Sequence, residues 1–127
     1  MTFTGSCHCG RIAYTVAEEP PAKAMQCNCS ICRRRGALHH FTTPDRFTLE
    51  TSRDDIETYR WNKGAIGFHF CKTCGCAPFA EGTGPNGPMV EINLRCAEDI
   101  DLDALEITAF DGAHKLPGPA RSDEGTG

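Results

Sequence analysis

The nine cysteines of the chain stand in four groups: Cys7 and Cys9; Cys27, Cys29 and Cys32; Cys71, Cys74 and Cys76; and Cys96 alone. Thiolates at such short spacings are ligands for zinc, and a structural zinc site takes four of them in a closed tetrahedron. Cys71-Lys72-Thr73-Cys74-Gly75 reads as a zinc knuckle. Its two intervening residues let both sulfurs converge while backbone N–H groups point at them, and Gly75 permits the positive φ that such a tight turn often needs. A knuckle supplies two ligands, and Cys7-His8-Cys9-Gly10 is the matching second pair. Cys7, Cys9, Cys71 and Cys74 are therefore expected to form one closed zinc site, stapling the N-terminus to the middle of the chain.

Cys27, Cys29 and Cys32 remain as a compact three-thiol cluster. Three protein ligands and an open position are the pattern of a catalytic zinc. A fourth protein ligand from Cys76, Cys96, His69, His39 or His40 would close the site instead. Arg33, Arg34 and Arg35 directly follow Cys32, where they either form a solvated loop or hold a substrate carboxylate. The histidines otherwise read as structural or solvent-facing, Phe68, Phe70 and Phe79 as core, Tyr59 and Trp61 as packing, and Cys96 as a small buried apolar residue. The chain carries no G-x-S-x-G, P-loop or dinucleotide fingerprint, so serine-hydrolase, NTPase and NAD chemistry have no support.

The elements that must position these thiols are short. With 127 residues the chain is one domain by size, long enough to bury a core without help from metal or disulfides. Thirteen Gly and eight Pro imply many turns and few long helices. An odd number of cysteines and no apolar leader argue against a disulfide scaffold and for a reducing, cytoplasmic location. No apolar stretch approaches a membrane span. A net charge of −4 speaks against nonspecific nucleic-acid binding, which depends on neutralising phosphates.

Alternation places Ile12, Tyr14 and Val16 on one face of a strand over residues 11–16. Short strands are also expected at residues 24–27, around Phe47 and Leu49, over 56–61, and around Ile66, Phe68 and Phe70. Val90, Ile92 and Leu94 give a further one. Ser30 is a possible N-cap for one helical turn up to Gly36, residues 62–64 are a turn, 82–88 a loop, and 98–105 a short helix or turn. These elements sum to an all-β sandwich or open barrel. Residues 117–127 read as a flexible tail after a single domain over 1–116.

Gly5-Ser6-Cys7-His8-Cys9-Gly10, Cys27-Asn28-Cys29-Ser30-Ile31-Cys32-Arg33 and Phe70-Cys71-Lys72-Thr73-Cys74-Gly75, in this order, resemble the glutathione-dependent formaldehyde-activating enzyme family, which includes the centromere protein V domain. The resemblance runs from about Gly5 to about Phe110. It implies a mainly β fold, a β-tent of antiparallel sheets stapled by zinc with few short helices. It implies a structural zinc on Cys7, Cys9, Cys71 and Cys74 and a second, catalytic zinc on Cys27, Cys29 and Cys32. The implied reaction is that of an S-(hydroxymethyl)glutathione synthase, a carbon–sulfur lyase joining formaldehyde to the thiol of glutathione. The alternative is a non-catalytic, zinc-stabilised β-tent binding module.

Overall fold

The computed structural model describes residues 1–60 and 65–115. Among the described residues, ten short strands and two four-residue helices make up the regular structure, with 3-10 turns between them. Strands β1 (Phe3–Ser6), β2 (Ala13–Val16) and β5 (Phe47–Leu49) form a three-stranded antiparallel sheet in the order β1-β2-β5. The other seven are β3 (Lys23–Cys27), β4 (His39–Thr42), β6 (Ile56–Tyr59), β7 (Ile66–Cys71), β8 (Phe79–Gly84), β9 (Gly87–Asn93) and β10 (Glu106–Phe110). They make a second sheet in the order β10-β3-β4-β9-β8-β7-β6. Every pair is antiparallel except β10 with β3, which is parallel, so the expected all-antiparallel arrangement fails at one sheet edge. The fold is mainly β, as the sequence implies.

Register decides which residues meet. In β9 the alternation of side chains sends Val90 and Ile92 to one face and Glu91 to the other. Phe79 stands opposite Ile92, and Gly67 opposite Glu81, which itself stands opposite Val90. That face, with Phe79, Val90 and Ile92 all but inaccessible, packs on Phe3, Ile12, Tyr14 and Val16 of the smaller sheet. Phe47 joins the layers, its ring 5.6 Å from Tyr14 and 4.8 Å from Phe79. The opposite face of the seven-stranded sheet carries Phe68, Ala80, Glu91 and His39.

This register corrects one expectation. Phe68 and Phe70 are only half-buried, while Gly67, His69 and Cys71 turn inward, because the sheet presents its other face to the core. His69 sits there with Nδ1 2.8 Å from Thr58 Oγ1 and Nε2 2.7 Å from Glu81 Oε1. Phe79 is core, as expected.

Other elements shift in detail. The residue 82–88 segment is a tight hairpin rather than a loop, with Gly84 paired to Gly87. Gly87, at φ 108°, makes this turn possible, and Gly82 lets β8 lie close to β7, since a Cβ there would lie 2.5 Å from the Ala65 carbonyl oxygen. Helix α1 is Cys32–Arg35, and Ile31 rather than Ser30 is its N-cap. Gly36 ends it at φ 72°. Residues 98–105 contain one 3-10 turn, Leu102–Ala104, capped by Asp101. Strands β1, β4 and β10 carry no clear alternation in the sequence and are held by their neighbours. The last four-residue helix, α2, is Gly112–Lys115. Trp61, the turn at 62–64 and the tail at 117–127 lie outside the described residues.

Candidate metal centres and the cavity beside them

The structure brings the seven sequence-predicted thiols together in two groups, on opposite sides of the large sheet. Cys7 follows β1 and Cys71 ends β7, so the first group bridges the two sheets. The ligand atoms of Cys7, Cys9, Cys71 and Cys74 all lie within 4.8 Å of one another. Two of the spacings are 3.7 Å for Cys7–Cys9 and 3.6 Å for Cys9–Cys71. A tetrahedral ion with zinc–sulfur bonds of about 2.3 Å would hold its sulfurs about 3.8 Å apart, so this donor set fits zinc in both chemistry and size. The loops are shaped around the sulfurs. The Ile12 N–H donates to Cys7 Sγ at 3.3 Å, and the Thr73 and Cys74 N–H groups donate to Cys71 Sγ at 3.4 and 3.5 Å. Gly75, at φ 80°, turns the chain back after the knuckle.

The second group is Cys27 at the end of β3, Cys29 in the following turn and Cys32 at the start of α1, again with sulfurs within 4.8 Å. The Cys29 N–H donates to Cys27 Sγ at 3.4 Å, and the Arg33 N–H closes the turn on the Cys29 carbonyl at 2.9 Å. Among the described residues Cys76, Cys96, His39, His40 and His69 all stand outside this group, so its described ligands number three.

The electrostatics of both groups are compatible with a bound cation. Burial pushes the Cys7 thiol up to about 11. In the second group the Cys32 thiol and backbone N–H groups hold Cys29 down at about 5, while Cys32, as hydrogen-bond donor to Cys29, is driven far up. Thiols this close cannot all ionise against one another, and a dication removes that obstacle.

Cys32 lies on the wall of a cavity of about 590 Å³. Cavity-lining residues include Arg35, His39, Phe68, Phe70, Glu91 and Arg95. A smaller cavity of about 470 Å³ reaches Cys27 and Cys32 from the other side and carries Arg33, Asn28 and Asp111. The arginine run is thereby divided. Arg33 lines the smaller cavity, Arg34 donates to the Ser30 carbonyl at 2.9 Å, and Arg35 lines the larger one with its guanidinium 5.7 Å from the centre of the Phe70 ring.

Glu91, Asn93 and Arg95 give no signal in the sequence. Glu91 occupies a polar position in an alternating strand, which ordinarily reads as outward-facing, yet it is buried. Burial pushes its carboxyl up to about 7, and the nearby Cys29 sulfur adds to this. Arg95 is pinned across the cavity by its Nε donating to the Gly36 carbonyl at 2.8 Å. Asn93 holds that corner, its Oδ1 accepting from the Leu38 and Arg95 N–H groups and its Nδ2 donating to the Ala77 carbonyl.

A family model described as glutathione-dependent formaldehyde-activating enzyme matches residues 2–109. Among solved structures, the crystal structure of a Rhodobacter sphaeroides protein aligns over 83% of this chain and 99% of its own, with a TM-score of 0.70 and 24% identity. At that identity the likeness shows a shared fold.

Proposed function

The chain belongs to the glutathione-dependent formaldehyde-activating enzyme family, and on that premise we propose that it is a zinc-dependent carbon–sulfur lyase joining formaldehyde to a small thiol, with glutathione the first candidate. Cys7, Cys9, Cys71 and Cys74 would hold a structural zinc, and Cys27, Cys29 and Cys32 a second one at the reacting site. The observation that carries this reading is the three-thiol cluster whose Cys32 forms part of a cavity wall. A closed four-thiolate site elsewhere in the chain has no such opening on the larger cavity through its ligands.

A zinc ion bound at the three thiols supplies Lewis-acid attraction for a thiol sulfur or an aldehyde oxygen. The chain's own residues do the rest. Arg35 and Arg95 place two guanidinium groups in the lining, matched to the carboxylates of a peptide thiol. Phe68 and Phe70 form an apolar wall that limits water beside the reacting carbon. Unprotected thiol ligands suit a reducing, cytoplasmic setting. No helix among the described residues is long and apolar enough to cross a membrane.

Formaldehyde and thiols combine without help, so the test is a rate. Exchange between free formaldehyde, glutathione and adduct is followed by NMR with and without zinc-loaded protein. Acceleration abolished by Cys29→Ser is expected. Unchanged exchange with loaded protein, together with no thiol binding, would overturn the reading in favour of a binding module.

A further inference from the structure

His39 and Glu91 form a buried pair on the cavity side of the large sheet. His39 is 5% exposed and Glu91 9%. His39 Nδ1 lies 3.1 Å from Glu91 Oε2. The register produces this meeting. Phe41 stands opposite Glu91 and His39 opposite Asn93, so His39 and Glu91 are diagonal neighbours on one face of adjacent strands. His39 also stands opposite Met25 in β3, two residues before Cys27. The pair therefore shares a cavity with Cys32 of the three-thiol cluster, while lying outside the ligand group itself.

The other ring nitrogen is the informative atom. His39 Nε2 is buried and has no hydrogen-bond partner. A buried, unpaired imidazole nitrogen is costly, and folds that keep one commonly use it. The contrast with the neighbouring histidines is direct. His69 bonds through both nitrogens, and His40 Nε2 is 2.8 Å from Glu18 Oε1.

We infer that the His39–Glu91 pair is the proton carrier of this site, with His39 Nε2 taking the proton of the incoming thiol and returning it to the aldehyde oxygen. This rests on the carbon–sulfur reading above. With Glu91 ionised and the ring proton on Nδ1, facing the carboxylate at 3.1 Å, Nε2 carries a lone pair. When the pair takes up one proton, Nε2 carries a hydrogen whether the pair is written as imidazolium–carboxylate or as imidazole–carboxylic acid, since the two differ only by where the proton between Nδ1 and Oε2 sits. Burial lowers the His39 ring from its ordinary value and raises the Glu91 carboxyl. The step balances. The S–H bond breaks and its proton moves to Nε2; the sulfur electron pair forms the S–C bond; the C=O π pair moves to oxygen, which takes the proton back from Nε2. No proton is gained or lost overall, and the reverse order releases formaldehyde. His39 is then a catalytic residue and Glu91 a positioning residue that fixes the ring and its charge.

The test uses the zinc-loaded full chain. His39→Gln is expected to slow formaldehyde–glutathione exchange by about 100-fold to 10,000-fold, with zinc content and affinity for S-methylglutathione unchanged. Glu91→Gln is expected to lower kcat with KM unchanged. A second readout needs no variant and no turnover: 15N NMR of His39. Saturation with glutathione is expected to place a proton on Nε2, whereas S-methylglutathione, which has no thiol proton, leaves the ring as it was. Identical His39 spectra with both ligands overturn the proposal, as does a His39→Gln protein that exchanges as fast as the parent. If the parent chain accelerates nothing but Nε2 still receives the thiol proton, the formaldehyde reading fails while the proton carrier stands.

Discussion

Glu81 shows how much one side chain can carry outside the thiol clusters. Burial raises its carboxyl, but Arg53, bidentate at 3.0 and 3.1 Å, and the His69 ring outweigh burial and hold it below the ordinary value of 4.5. A carboxyl whose folded value is depressed adds stability above its unfolded value and loses it as pH falls through the folded one. Glu81→Gln is therefore expected to melt at lower temperature near neutral pH and to converge with the parent in acid. Thermal melts of both zinc-loaded proteins between about pH 7 and about pH 3 check this. A constant gap across that range would contradict it. Spacing along the chain reveals ligands but not side chains that only the fold brings together. All seven clustered thiols are legible because ligand spacing is local. Glu91 and Arg95 are not, because their roles arise from strands that meet only in three dimensions.

At the scale of elements, alternation found β2 and β9, where one apolar stripe faces the core, and the expected faces of Ile12, Tyr14, Val16, Val90 and Ile92 hold. In β7 the rule inverted, because that strand lies in a sheet with occupied space on both sides: core on one, cavity on the other. The parallel pairing of β10 with β3 is beyond any local reading, since it joins segments about eighty residues apart. Close approach between β1 and β2 yields a direct prediction. A Cβ at Gly5 would lie 2.3 Å from the Tyr14 hydroxyl oxygen, whose ring is locked between the sheets. Gly5→Ala should cost about 1–3 kcal/mol, seen as a fall in melting temperature. Gly84→Ala, whose nearest neighbour is the mobile Met89 sulfur at 3.3 Å, should cost less. Equal losses would mean that Tyr14 yields more readily than its packing implies.

For the molecule as a whole, the two thiol clusters would divide the labour of folding and chemistry under the proposed function. The first ties β1 to β7 across both sheets, so a metal bound there would be part of the folding free energy. Cys71→Ser is expected to leave an unfolded or strongly destabilised chain by circular dichroism, and Cys29→Ser a folded one that has lost exchange activity. Equal loss of structure in both would collapse the distinction. Under the proposed function the second metal centre is built from three thiols and keeps one side toward the cavity. X-ray absorption at the zinc edge of the two-zinc protein distinguishes this from a closed site. Seven protein thiols over two ions give an average of 3.5 sulfurs per zinc, rising to four when glutathione is added; an average of four before any thiol is added, unchanged afterwards, would contradict the account.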